Sequence, residues 1–209
     1  MARTTGSNGP RTRDAIMSAG LELIYEHGYE AVTIRKLAAA VDLTQGAIYN
    51  HLESKQDLLY ELVREHMTDL LAKLADAMSG LTEPRERLLK FIAFHIDYHA
   101  TRRREVYIGN SELRSLTEPN KAEILTLRTQ YENAFIGILQ AAHEAGLIRV
   151  SNPKIIAYAI IAMLTGISAW YNPSQPLQLE ALVRIHTDLA LYGLGGTAEL
   201  SSAEDPKSR

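Results

Sequence analysis

The sequence predicts an all-α fold, and three observations carry that prediction. Residues 33–52 place their apolar positions as two short amphipathic helices about a tight turn. From Ser54 onward apolar residues recur at helical spacing, interrupted only where Gly and Pro cluster. No strand alternation and no internal repeat stands out.

The first short helix has Ile34, Leu37, Ala38 and Val41 at i, i+3, i+4 and i+7, one inward face, with Thr33 as N-cap. Ala38 is small, so a neighbouring helix can cross close to it. Val41, Asp42 and Leu43 form the turn, and Asp tolerates the left-handed backbone that such a turn needs. A second helix starts at the N-cap Thr44 and runs to about His51. Ile48 and Leu52 face inward, which turns Gly46, Tyr49 and Asn50 outward and leaves Thr44 and Gln45 at the exposed N-terminal end. Ser54 caps the next helix, and Asp57 completes a capping box.

Two helices in this relation present one helix end to the DNA major groove. Gln pairs bidentately with adenine, Thr and Tyr reach phosphate or a thymine methyl, and Gly permits close approach. Lys55, in the first turn of the following helix, sits where a DNA backbone would cross.

The segment resembles the DNA-binding domain of the TetR family of bacterial transcriptional regulators. The resemblance rests on Thr33-x-Arg35-x-Leu37-Ala38, Ala47-Ile48-Tyr49-x-His51-Leu52 and Ser54-Lys55-x-x-Leu58-Leu59, preceded by Ile16-x-x-Ala19, Leu23 and Gly28. It implies that Arg35, Gln45 and Gly46 approach base edges while Thr33, Tyr49, His51 and Lys55 hold phosphates. Asn50 falls where family members vary, and Asp42 stands where Gly is usual. The domain division that follows is a basic tail (1–11) expected to be disordered, a helix-turn-helix domain (12–60), a ligand-binding and dimerisation domain (61–195) and a second disordered tail (196–209).

The charge balance gives no global footprint for DNA. Net charge is −3, and residues 1–55 hold six Lys/Arg against six Asp/Glu. A basic surface must therefore be local. Arg3, Arg11 and Arg13, with Arg35, Lys36 and Lys55, are the candidates. The tail either adds minor-groove or phosphate contacts or is plainly solvated. Absence of Cys removes disulfides and thiolate metal sites and suits a reducing cytoplasm. No stretch is expected to reach the roughly 20 apolar residues of a membrane span. The chain therefore reads as a cytoplasmic protein.

Beyond the first domain the spacing predicts helices over 54–79, 85–102, 104–116, 120–145, 153–171 and 178–194. The breaks are Gly80–Pro84, Glu118-Pro119, Gly146 and Asn172–Pro176. Ala159, Ala162, Gly166 and Ala169 make a small-residue stripe, and Leu182, Ile185, Leu189 and Tyr192 repeat its spacing on the last helix. In TetR-like proteins the last two helices pair with their counterparts, so a homodimer through these stripes is expected. The other reading is that both stripes face the chain's own core. A two-fold protein matches a near-palindromic operator.

The central helices are expected to enclose a small-molecule site with a wall of Phe91, Phe94, Tyr98, Tyr107, Tyr131, Phe135, Met163 and Trp170. Arg102, Arg103, Arg104 and Glu112 would be polar anchors at one end. Each aromatic can equally be plain core. A weaker resemblance links Trp170-Tyr171-Asn172-Pro173 and the closing Leu191-Tyr192-Gly193-Leu194 to a TetR subgroup, several members of which sense acyl-CoA thioesters in fatty-acid or steroid breakdown. It implies that Arg102 to Arg104 meet CoA phosphates by charge-assisted bonds. The plainer reading is a basic helix end favouring its own dipole.

The resulting expectation is a ligand-responsive repressor, with no cofactor, whose effector shifts the population away from the operator-binding state. Glu61 to Met67 would transmit the change. Two rival classes are weighed against it. An enzyme is suggested only by His95 and His99, four apart on one helix face. No Glu-x-x-His, phosphate loop or nucleophile elbow accompanies them, so no metal is expected. A helical sensor acting through a protein partner would want more apolar anchors than Thr44, Gln45, Gly46, Tyr49 and Lys55 provide.

Overall fold

The computed structural model describes residues 9–174 and 177–193, and these are helical throughout apart from turns. The first helix, α1 (Gly9–His27), is followed by α2 (Ile34–Ala40) and α3 (Gln45–Tyr49). Residues 9–11, expected in the tail, are the first turn of α1, where Pro10 lacks only an N–H that has no helical partner anyway. Residues 1–8 with Arg3, residues 175–176 of the predicted break and the predicted tail 196–209 lie outside the described residues.

The caps form as local chemistry dictates. Thr33 Oγ1 accepts from Lys36 N, Thr44 Oγ1 from Ala47 N and Ser54 Oγ from Asp57 N, each at 3.2 Å. Asp42 takes φ of 53°, and Leu43 N donates back to Ala38 O at 2.9 Å, closing α2 across that left-handed residue. The apolar faces converge on Ile16, Ile24, Leu37, Ile48, Leu58 and Leu59, all without solvent contact. Ser54→Ala removes one cap and should lower stability by about 1 kcal/mol, read as a shifted urea midpoint at constant slope.

The long helix α4 (Lys55–Met78) leaves this domain and becomes part of the next. Its buried face, Leu58 through Leu74, first meets α1 and then packs on α5 (Pro84–Thr101), α6 (Arg103–Ser111) and α7 (Glu118–Glu144). A 3₁₀ turn, Leu113–Ser115, joins α6 to α7, so the helix expected over 104–116 ends early. In the larger core Phe91 stacks on Phe135 with ring centroids 3.9 Å apart.

The helix expected over 153–171 is two, α8 (Pro153–Thr165) and α9 (Ile167–Trp170), separated at Gly166. Residues Pro153–Trp170 are long and apolar enough by composition to cross a membrane, contrary to the sequence expectation, and only 17% of that stretch is buried. The apolar character therefore faces outward. On α10 (Leu179–Tyr192) Leu182 is buried against the chain's own core, whereas Ile185, Leu189 and Tyr192 are exposed.

Candidate DNA interface and effector cavity

On the DNA-binding side, the capped start of α3 leaves Thr44, Gln45 and Gly46 exposed, followed by Tyr49 and Asn50 on the outer surface. Thr33 and Arg35 at the start of α2 are exposed as well, and His51 is half-buried behind α3. Both cap threonines use oxygen as acceptor, which leaves each hydroxyl hydrogen available to a phosphate. Lys55 lies 4.0 Å above the Tyr29 ring and donates to Tyr29 O at 3.1 Å, which fixes the stem while two N–H donors remain. Arg13 is not part of this footprint, because it pairs with Glu61 and Glu65 of α4.

On the other side a cavity of about 900 Å³ lies among α1, α6, α7, α8 and α9. Its lining includes Tyr25, Arg103, Tyr107, Tyr158, Ile161 and Ala162. Tyr25 belongs to α1 of the DNA-binding domain and meets Tyr107 edge-on, with centroids 5.2 Å apart and planes at 82°. A smaller recess of about 100 Å³ adjoins it, lined by His66, His99, Arg128 and Tyr131 among others. The two spaces share Asn110, Glu132, Ile161 and Thr165.

The predicted wall is largely elsewhere. Of its residues Arg103 and Tyr107 line the cavity, and Tyr131 lines the recess. Phe135 is core, stacked on Phe91, and Phe94 packs beside Tyr98. Tyr98 turns toward α4, donating to Asp69 Oδ2 (2.9 Å) and His66 O (3.2 Å). Burial, then the bond to Asp69, raises its phenol well above the ordinary range. Met163 and Trp170 lie on the other faces of α8 and α9, and Trp170 is 53% exposed. Glu112 is also displaced, accepting from Tyr29 N at 3.3 Å and from Ser115 Oγ at 3.0 Å between the two domains.

The three consecutive arginines separate. Arg103 Nε donates to Ser168 O (2.7 Å) at the cavity, Arg102 pairs with Asp69 (3.1 Å), and Arg104 pairs with Glu22 of α1 (3.1 Å). Three of the four small residues proposed for dimer contact, Ala162, Gly166 and Ala169, line the cavity.

Tyr25, His66, Asn110, Arg128, Glu132 and Tyr158 also line these spaces, and the sequence does not single them out, since nothing in their spacing separates them from ordinary helix positions. His95 and His99 do not converge on a common point. Their rings stack at 3.8 Å and 3°, and His95 is held by the Tyr131 hydroxyl (2.8 Å) and Thr165 Oγ1 (3.0 Å). Among the described residues no group of three His, Cys, Asp or Glu is placed to hold a metal ion.

A helix-turn-helix domain sharing one helix with an all-α domain that encloses a cavity is the build of a DNA-binding regulator that reads its own effector. Residues 16–62 match the profile of the bacterial regulatory proteins, tetR family, and residues 81–194 match that of the tetracyclin repressor-like C-terminal domain. The chain belongs to the TetR family, and is a helix-turn-helix transcriptional repressor of the ligand-responsive type. That family comprises transcriptional regulators rather than enzymes, and dimerisation is typical of it.

Among similar proteins, the HTH-type transcriptional repressor KstR2 of Mycolicibacterium smegmatis is 24% identical over 196 residues, spanning 93% of this chain and 96% of its own. The TetR family regulator PfmR of Thermus thermophilus superimposes with a TM-score of 0.78 at 29% identity, covering 86% of this chain and 98% of that one. AibR, solved with isovaleryl coenzyme A and operator DNA, shares the fold at a TM-score of 0.79 and 24% identity, covering 87% and 98%.

Proposed function

We propose that this protein is a homodimeric repressor that leaves a near-palindromic operator when an acyl-CoA or related lipid-derived effector fills the cavity. The observation that carries the reading is Tyr25, a residue of the DNA-binding domain that lines the cavity wall. A ligand there touches both domains at once, so its binding energy bears directly on their relative placement. The long α4, including Glu61 to Met67, is the rigid element through which that placement reaches α3.

Several features support the effector class. The cavity is large and mainly apolar, with Arg103 on its lining to meet an anionic group. AibR, of the same fold, binds isovaleryl coenzyme A. For the homodimer, the outward apolar positions Ile155, Ile185, Leu189 and Tyr192 on α8 and α10 supply a surface that a second copy would cover. The protein would act in the cytoplasm, where its operator lies.

In the DNA complex Arg35, Gln45 and Gly46 approach base edges. Thr33, Thr44, Tyr49, His51 and Lys55 hold phosphates, with Asn50 beside them. The direct test is to incubate the purified protein with random duplex DNA at fixed salt and sequence what is retained. A near-palindromic motif is expected, and acyl-CoA should release it. No enrichment from a folded dimer would move the reading to a partner-binding sensor. Once the motif is known, Gln45→Ala should cost about 1–3 kcal/mol at one base pair and relax preference there. Lys55→Ala should instead weaken all sequences alike and lower the salt slope by about one. Uniform loss for Gln45→Ala would remove its reading role.

A further inference from the structure

The recess behind the cavity is built from groups that ask for a hydrogen-bonding partner. His99 Nδ1 lies 2.8 Å from the carbonyl oxygen of His95, which can only accept, so that nitrogen carries the proton. The neutral ring is then left with a lone pair on Nε2. His66 Nδ1 is buried with no partner at all. Burial is also the main reason that His66 and His99 titrate low, at about 3 and about 4, so both rings are neutral at pH 7. The third group is Arg128, whose Nη2 donates to Gly109 O (2.6 Å) and Asn110 Oδ1 (3.0 Å). The rest of its guanidinium fork remains for another acceptor.

A purely hydrocarbon end seated here would desolvate His99 and the remaining Arg128 donors without pairing them, at about 1–3 kcal/mol each, and would leave His66 Nδ1 as unpartnered as before. A carboxylate could pair with Arg128 but would also meet Glu132, which lines both spaces, and the lone pair of His99. A hydroxyl suits all of them, because it donates to His99 Nε2 while accepting from Arg128 or His66. The recess, at about 100 Å³, has room for a group of that size. We propose that the effector carries a hydroxyl group at its buried end, seated among His66, His99 and Arg128, with its apolar body in the larger cavity. This rests on the reading of the cavity as the effector site.

The test compares matched probes by calorimetry: straight-chain acyl-CoA thioesters of six to twelve carbons, their ω-hydroxy counterparts and the corresponding ω-carboxy thioesters. At the best chain length the ω-hydroxy thioester should bind about tenfold more tightly than the plain one, the span of one well-made neutral hydrogen bond. His99→Leu should abolish that preference, and His99→Gln, which restores an acceptor oxygen, should retain much of it. His66→Leu, on a different helix, gives the same comparison if His99→Leu does not fold. Equal binding of plain and ω-hydroxy thioesters, or preference for the ω-carboxy form, would overturn the hydroxyl. Should no thioester bind, the acyl-CoA reading falls by itself, and the free acids decide. ω-Hydroxy acids, but not plain fatty acids, should then move the ¹⁵N resonances of His66 and His99. If neither does, the inference is wrong.

Discussion

Acidification from pH 7 to pH 5 should destabilise this protein by about 2 kcal/mol for each of His66, His95 and His99, about 6 kcal/mol together. All three are held neutral in the folded state. Burial is the first cause in each case, pressing His66 to about 3, His99 to about 4 and His95 well below the ordinary 6.5. His66 also faces the cations Arg102 and Arg128, opposed only by Asp69. The unfolded chain takes up these protons from about pH 6.5 downward, and the folded chain does not. Unfolding is therefore favoured as pH falls, and the stability is fully present above pH 6.5. Against a total of about 5–15 kcal/mol for an ordinary domain, this loss is large. The measurement is chemical denaturation between pH 7 and pH 5 at fixed protein concentration, above the range where carboxylates titrate. A double variant, His66→Phe with His99→Phe, should lose about two-thirds of the slope. A flat profile in the parent would mean that the histidines are hydrated and chargeable in place.

How much was legible in sequence follows from the range of the forces involved. Thr33, Thr44 and Ser54 were readable as caps because a cap is made within three residues of itself. Asp42 was readable because a left-handed turn selects its residue type locally. The division of α8 from α9 was not, since Gly166 takes helical angles (φ −55°, ψ −24°) and nothing nearby announces a break. The cavity wall was least legible. Phe135 and Tyr107 look alike as aromatic residues on amphipathic helices, yet one is fully buried and the other is 50% exposed on the cavity. Which helix packs across from each is tertiary information. The arginine run failed for a simpler reason. Arg102 stands outside both helices, at the break between α5 and α6, and Arg103 and Arg104 are successive helical positions about 100° apart, so the three turn to different partners. For the exposed face of α3 the same rule serves, because the inward positions Ile48 and Leu52 turn Gly46, Tyr49 and Asn50 outward, while Gln45 is exposed at the N-terminal end of the helix.

Gln56→Leu should uncouple effector from operator more than it weakens either binding event. Gln56 stands at the start of α4, where three segments meet. Its Nε2 donates to the Tyr29 hydroxyl (2.8 Å) and Ser115 O (2.6 Å), and its Oε1 accepts from Thr117 N (3.2 Å). Tyr29 follows α1 of the DNA-binding domain, and Ser115 and Thr117 lie between α7 and α6, a helix whose residues line the cavity. Glu112 completes the latch by bridging Tyr29 N and Ser115 Oγ. Any movement of α6 that the proposed effector caused would thereby reach the turn that carries α2 and α3. Leucine keeps the volume and removes all three bonds. The stability cost should be about 2 kcal/mol, because the site is partly open and water replaces some of what is lost. Allosteric coupling is typically about 1–3 kcal/mol, so cutting this link beside α4 and Tyr25 should shrink effector-induced loss of operator affinity several-fold, up to about tenfold. Operator affinity without effector should change much less, since no DNA-facing side chain is altered. Hydrogen exchange supplies a readout that needs no ligand: amides of 29–33 and 113–117 should exchange faster, and those of α3 should not. Full retention of effector-induced release in Gln56→Leu would leave the coupling to α4 and the Tyr25–Tyr107 contact alone.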